Sequence, residues 1–316
     1  MKFYITTVIG VIICTIPSLA IANDLFFYSV TRNELRQEES LTTNLAQNIE
    51  SNPQSAEDYY RRGNTHYQSR QIEKALADFD SALRLNPNYA EVYMTRGELY
   101  FKLGQPEKAL ADYDKAIELD PQDIKTYVNR GFLYTRLGET EKALADYDKA
   151  VELDPQNAQA YNNRGVFQAQ LGNAEKALAD LNRAIELDPQ LAKAYSNRGV
   201  LYYQLGETEK VLADYNKAIE LNPEDAETYF NRADFYVVSG QEDKVLPDLN
   251  RAIELAPNYA RAYLTRGLFY YKSENSSQGK KDLERAAELF LQQKDERSYQ
   301  TVNKILQQLS AEPEKQ

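Results

Sequence analysis

Apolar, aromatic and small positions along the chain recur with one fixed period of 34 residues. The stretches YVNRGFLYTRLGETEKALADYDKAVELDPQ and YNNRGVFQAQLGNAEKALADLNRAIELDPQ begin at residues 127 and 161 and are nearly the same. The prolines keep the same spacing, at Pro53, Pro87, Pro121, Pro155, Pro189, Pro223 and Pro257. A period of this length is typical of an array of stacked structural repeats.

Each copy predicts two helices joined by a short turn. In the copy 124–157 two stretches have aromatic and small residues at helical spacing. They are Tyr127, Gly131 and Tyr134, then Ala143, Tyr147 and Ala150. Gly138, between them, suits the left-handed turn that ends a helix, and Pro155 cannot continue the second helix. We therefore predict two antiparallel helices per copy, which cross closely where Gly131 faces Ala143.

The order of these residues resembles the tetratricopeptide repeat family. Seven copies match, over residues 56–293, and the departures are Ala233 for the glycine and, in the last copy, Gly279, Glu274 and Leu291. The resemblance implies an all-α fold, a right-handed superhelical solenoid of stacked antiparallel helix pairs. It also implies that the first helix of each pair lines the concave side.

The residues before the repeats predict export. Residues 1–22 have a basic start at Lys2, an apolar run, and small residues at Ala20 and Ala22, which is the pattern of a secretory signal peptide cut after Ala22. The alternative is an uncleaved membrane anchor over residues 3–22, which is just long enough to cross a bilayer. We expect an exported protein, periplasmic or associated with the cell envelope, that contacts the membrane only if this segment stays uncleaved.

Three further segments flank the array. Residues 23–55 predict a helical segment that resembles a degenerate repeat, and residues 294–310 an amphipathic capping helix. Residues 311–316 are expected to be a disordered tail.

One arginine and one aspartate recur in every copy, as Arg130 and Asp146 do in the copy 124–157. In an antiparallel pair these two residues lie at the same level, so we predict a partly buried ladder of ion pairs. The alternative is an arginine row that binds phosphate groups.

The first helices carry the candidate binding residues. On a helical wheel Lys125, Asn129 and Arg136 lie opposite the packing stripe, so they are expected on the floor of the groove. The position of Asn129 holds a carboxamide in four successive copies, at Asn129, Asn163, Asn197 and Asn231. A carboxamide is both donor and acceptor and can pair with the peptide unit of a bound strand. The alternative is that these asparagines are ordinary surface residues.

The neighbouring positions suggest what the groove would bind. Lys125, Arg136 and Lys193 give its centre a mild positive charge, which favours a peptide partner with acidic character. Apolar contacts are expected from Phe132, Val166 and Val200.

Composition argues against several other functions. The formal net charge of −11 is poorly suited to nucleic acid or an anionic membrane surface. With one histidine and one cysteine in 316 residues, we expect no catalytic residues, no metal site and no cofactor. The sequence favours a non-enzymatic scaffold or adaptor that binds a partner peptide in the groove. A self-assembling structural protein and a regulatory subunit of an envelope enzyme remain alternatives, and the oligomeric state is open.

Overall fold

A computed structural model describes residues 53–273 and 275–311. The predicted signal peptide at 1–22, most of the segment 23–55, Glu274 and most of the tail at 311–316 lie outside the described residues. The described residues form fifteen α-helices and no strand. The fold class is therefore all-α, as predicted.

The helices follow one another in the order that the 34-residue period predicts. The first helices of the copies are α1 (Ala56–Gln68), α3 (Ala90–Lys102), α5 (Ile124–Leu137), α7 (Ala158–Gln170), α9 (Ala192–Gln204), α11 (Ala226–Val238) and α13 (Ala260–Lys272). The second helices are α2 (Ile72–Leu85), α4 (Pro106–Leu119), α6 (Thr140–Leu153), α8 (Ala174–Leu187), α10 (Thr208–Leu221), α12 (Glu242–Leu255) and α14 (Ser276–Gln292). A last helix, α15 (Glu296–Ala311), lies where the capping helix is predicted.

The chain divides into two units between Phe167 and Gln168, inside α7. In the first unit α1 packs on α2, α3 on α4 and α5 on α6, and each second helix also contacts the next first helix. The second unit repeats this arrangement with α9–α14, and α15 packs on α14 through the buried Val302 and Ile305. Each unit is thus a stack of helix pairs.

The turn inside each of the first six pairs depends on backbone that glycine adopts easily. Gly138 follows α5 with φ of 75°, and Gly104, Gly172, Gly206 and Gly240 have the same left-handed conformation. In the first copy a non-glycine residue, Arg70, takes this place with φ of 59°. An L-residue is disfavoured there because its Cβ approaches the following carbonyl oxygen.

The close crossing within each pair is set by small residues. A Cβ at Gly131 would lie 3.2 Å from Asp146 Cβ and 3.4 Å from the carbonyl oxygen of the buried Ala143. In the last copy Gly279 replaces the usual alanine, and a Cβ there would lie 2.8 Å from the Gly267 carbonyl oxygen. That departure is explained by a closer approach of α13 and α14.

The arginine–aspartate contacts predicted from the sequence are present. Arg130 donates from Nε and Nη2 to the two carboxylate oxygens of Asp146, at 2.8 and 2.7 Å. The same two-point contact joins Arg62 to Asp78, Arg96 to Asp112, Arg198 to Asp214, Arg232 to Asp248 and Arg266 to Asp282. Because the donors are occupied by carboxylates of the same chain, the phosphate-binding alternative loses its basis.

From the second copy onward, the arginine also links its copy to the preceding one, which was not predicted. Arg130 Nη1 donates to Asp114 Oδ1 on α4 at 2.7 Å, and Arg96 Nη1 donates to Asp80 on α2 at 2.6 Å. In the second unit the acceptor is an amide, since Arg198 Nη1 donates to Asn182 Oδ1 at 2.7 Å. The arginines therefore stabilise both the pair and the stacking of pairs.

Candidate peptide-binding surfaces

The surface of the first helices that faces away from their own second helices is called here the first-helix surface. It differs from the packing positions in that its residues change from copy to copy. The position of Lys125 is occupied by Glu57, Glu91, Lys125, Gln159, Lys193, Glu227 and Arg261. Packing therefore does not dictate the residue at this position, which leaves it open to recognition of a partner.

The four predicted carboxamides are less accessible than a helical wheel suggests. Asn129, Asn163 and Asn231 are only 7%, 2% and 7% exposed, whereas Asn197 is half-buried. The expectation that all four lie open on the groove floor is therefore wrong. The reason is that successive first helices contact each other and cover this position, as where Asn129 Nδ2 lies 3.8 Å from Met94 Sδ.

Asn163 is held in an amide cluster on α7 that determines which of its atoms is left available. Its Oδ1 accepts hydrogen bonds from Gln159 Nε2 at 2.9 Å and from Asn162 Nδ2 at 3.2 Å. Its own amide nitrogen has no partner among the described residues. Every fully buried side-chain nitrogen or oxygen in the described part of the chain is hydrogen-bonded, so this nitrogen keeps a small solvent-accessible area although Asn163 as a whole is buried. Asn163 thus presents a fixed donor, which suits a carbonyl group of a ligand.

The other residues predicted for the first unit divide into exposed and packed ones. Lys125 and Arg136 are less buried than the packing positions around them, as expected, and Val166 is half-buried. Phe132 is 5% exposed and its ring meets Phe101 edge to face, 5.6 Å between centroids. Phe132 therefore stabilises the contact of α3 with α5, and the expectation of an open apolar ligand contact is wrong for this residue.

Lys193 does not give the second unit a free positive charge. Its Nζ lies 3.1 Å from Asp225 Oδ1 and 3.1 Å from Glu227 Oε2. Burial alone would lower the pKa of Lys193, but the charges of Glu227 and Asp225 outweigh it and the pKa is raised. Lys193 therefore does not supply the positive charge that was expected to attract an acidic partner. Val200, nearby on α9, is half-buried.

Two charged residues of the second unit were not predicted as site residues. The Arg261 guanidinium lies over the Phe230 ring, 4.7 Å from its centroid, and makes no hydrogen bond or ion pair with other described residues. Asp234 on α11 is likewise without a hydrogen bond or ion pair to the described part of the chain. Burial raises the pKa of Asp234 to about 6, and the charge of Arg261 offsets only part of that effect. The 34-residue register could have indicated both residues as candidates for this surface, since Arg261 and Asp234 occupy the same positions of the repeat as Lys125 and Phe132.

Membrane-spanning and metal-binding features are both missing from the described residues. No helix there is both long and apolar enough to cross a lipid bilayer. No group of three or more His, Cys, Asp or Glu side chains in the same residues is placed to hold a metal ion.

Solved structures similar to this chain have the same fold. A tetratricopeptide repeat protein from Parabacteroides merdae ATCC 43184 has a TM-score of 0.63 and 23% identity, over 80% of this chain and 97% of that one. The APC/C hetero-tetramer Cut9–Hcn1 contains a chain with a TM-score of 0.63 and 17% identity, over 75% of this chain and 46% of that one. TTC0263, a thermophilic TPR protein in Thermus thermophilus, has a TM-score of 0.51 and 26% identity, over 58% of this chain and 100% of that one.

Family profiles match the sequence itself. Profiles described as tetratricopeptide repeat match residues 63–128, 112–145, 192–225 and 214–246, and one described as TPR repeat matches 133–172 and 168–206. A search of curated protein sequences gave no match. The matched profiles together span residues 63–246, which is more than half of the chain. The chain belongs to the tetratricopeptide repeat family.

Proposed function

We propose that the protein is a non-enzymatic scaffold or adaptor that binds an extended segment of a partner protein on its first-helix surface. Tetratricopeptide repeat proteins are in general scaffolds that bind protein or peptide partners. On this chain the proposal places the contact on the concave side that the family resemblance implies.

The observation that carries the proposal is the amide of Asn163. Two neighbouring side chains occupy its oxygen, so the carboxamide cannot rotate without losing two hydrogen bonds. Its nitrogen is a preorganised donor on the first-helix surface. An extended chain offers one carbonyl acceptor per residue, which makes a main-chain carbonyl the natural partner for such a donor. The cationic Lys125 and Arg136 on α5 would add affinity for acidic side chains of the same segment.

The experiment is selection of linear twelve-residue peptides from a phage-displayed random library on the immobilised protein. Dissociation constants of selected peptides are then measured by fluorescence anisotropy with the wild type and with Asn163→Asp. This variant keeps the acceptor oxygen and removes the amide donor. We expect binding to weaken about tenfold, the effect of one lost hydrogen bond in an enclosed site.

Two controls separate a contact from a folding defect. Asn216→Asp changes an amide on a second helix and should leave binding unchanged. A photoreactive residue at position 136, on the first-helix surface, should crosslink a bound peptide, whereas one at position 118 on α4 should not. Selection of no peptide, or crosslinking at 118 alone, would contradict the proposal.

We also propose that the protein acts outside the cytoplasm, as residues 1–22 suggest. Cell fractionation tests this, and recovery of the protein in the cytoplasmic fraction would contradict it.

A further inference from the structure

The side chain of Gln159 contacts Asn163 on α7 and offers a second polar atom to a ligand. Gln159 Nε2 donates to Asn163 Oδ1 at 2.9 Å, and this is the one hydrogen bond that the Gln159 side chain makes with the described residues. Every fully buried side-chain oxygen in that part of the chain is hydrogen-bonded, so Gln159 Oε1 keeps solvent-accessible area. The two side chains therefore present an open acceptor, Gln159 Oε1, and an open donor, Asn163 Nδ2.

This pair of carboxamides occurs in one copy of the seven. At the position of Gln159 the other six copies have glutamate, lysine or arginine. The asparagines of the adjacent copies, Asn129 and Asn197, have Lys125 and Lys193 four residues before them. An ionised group suits a charged ligand, whereas two neutral carboxamides with an open donor and an open acceptor suit a neutral group that has both.

One main-chain residue of an extended segment is such a neutral group. Its N–H and its C=O point to the same edge of the segment, as they do in a hydrogen-bonded residue pair of an antiparallel sheet. Residues four apart on a helix have Cβ atoms about 5–6 Å from each other, so both side chains are within reach of one bound residue. An apolar group at this place would leave the donor and the acceptor without partners, which costs free energy.

We propose that Gln159 and Asn163 together bind the main chain of one partner residue, whose N–H donates to Gln159 Oε1 and whose C=O accepts from Asn163 Nδ2. This inference rests on the proposed peptide-binding function and adds Gln159 and the N–H of the partner to it. Because both contacts are to the main chain, the fourth copy positions the segment without recognising a side chain. Proline is excluded at the bound residue, since it has no N–H.

The test is an ester scan of a peptide selected from the phage-displayed library, with dissociation constants measured by fluorescence anisotropy. Each ester replaces one main-chain N–H by oxygen. It also weakens the carbonyl of the preceding residue, but in a trans peptide that carbonyl points to the opposite edge of an extended segment. We expect an ester at the bound residue to weaken binding to the wild type about tenfold, the effect of one lost hydrogen bond in an enclosed site. Proline at the same residue should weaken binding at least as much.

A protein variant identifies Gln159 as the acceptor of this N–H. Gln159→Met removes the amide and keeps an unbranched side chain, while Asn162 Nδ2 still donates to Asn163 Oδ1. The variant should bind the unmodified peptide about tenfold more weakly, and the ester at the bound residue should then cause no further loss. Gln122→Met makes the same change on an exposed loop and should alter neither the affinity nor the effect of the ester. Circular dichroism of both variants checks that they are folded.

Three results would overturn the inference. If every ester effect seen with the wild type persists in Gln159→Met, Gln159 only holds Asn163 in place and binds no N–H. If Gln159→Met or the ester scan leaves the affinity unchanged while Asn163→Asp still weakens binding, the second contact is refuted and the proposed function stands. Failure to select any peptide would refute both proposals.

Discussion

Removing the Arg130 guanidinium should destabilise the stack more than any surface ion pair could. Arg130→Ala leaves the Asp146 carboxylate, whose side chain is 6% exposed, without the two hydrogen bonds that now satisfy it. It also removes the 2.7 Å contact from Arg130 to Asp114 on the preceding second helix. Breaking a buried ion pair by removing one partner costs about 3–5 kcal/mol, because a charge is left buried and uncompensated.

The outer contact of the same arginine should matter much less. The Asp114 side chain is 57% exposed, and ion pairs of exposed groups contribute about 0–1 kcal/mol. The second unit already has an amide at this place, where Asn182 accepts from Arg198. We therefore expect Asp114→Asn to change the free energy of unfolding by about 1 kcal/mol or less.

The assay is urea unfolding followed by circular dichroism, with amide hydrogen exchange of α5 and α6 to localise the effect. Burial alone would lower the pKa of Arg130, but hydrogen bonds and charges from Asp146 and Asp114 outweigh it, so the pKa is raised. The guanidinium is thus charged at any pH suitable for the assay. A double variant, Arg130→Met with Asp146→Leu, should recover much of the loss, since replacing a buried pair by apolar residues is often neutral. Arg130→Ala within about 1 kcal/mol of wild type, or a double variant no better than the single one, would refute this account of the ladder.

The remaining predictions concern the turns, a half-buried acid and the N-terminus. Gly138→Ala should lower the free energy of unfolding by about 1 kcal/mol because φ is 75°, although no atom lies within 4 Å of the added Cβ. Arg70→Gly should conversely raise the free energy of unfolding by up to about 1 kcal/mol. Thermal melts in which both variants shift the midpoint in the same direction would disprove this reasoning. The pKa of Asp234 in the folded state, about 6, exceeds the unfolded value, so the folded state holds this proton more tightly and stability falls as pH rises from about 4 to 6. Asp234→Asn should therefore be more stable than wild type at pH 7 by about 2–3 kcal/mol and equally stable near pH 3.5. Urea titrations at both pH values measure this difference. Finally, N-terminal sequencing of the protein from its native cell should begin at Asn23, whereas a chain that still starts at residue 1 would favour the anchor.

Much of the fold could be predicted because seven copies repeat the same local arrangement. The helix bounds follow from Gly138 and Pro155, and the crossing of α5 with α6 follows from Gly131 and Ala143. The ion pair of Arg130 with Asp146 follows from antiparallel geometry within one copy. Such interactions involve residues whose spacing along the chain is fixed, so a periodic pattern is sufficient to place them.

Contacts between copies could not be placed in the same way, because a helical wheel describes one helix without its neighbours. It shows Asn129 facing away from its own second helix, but the preceding first helix then covers it and Met94 lies against the amide. The same omission explains Phe132, which packs on Phe101 and is not left open for a ligand. The solvent accessibility of a residue in a stack depends on its own helix and also on the neighbouring first helix that packs over it, and the helical wheel includes only its own helix.

The residues that determine recognition are the hardest to predict, because they depart from the repeat. Lys125, Lys193 and Arg261 occupy one position of the repeat and would receive one role from periodicity alone. In the structure Lys193 is held by two carboxylates, whereas Arg261 stacks on an aromatic ring. Their surroundings differ because the neighbouring variable positions differ as well. At the positions that the repeat leaves free to vary, electrostatic neighbours rather than the period therefore decide the chemistry.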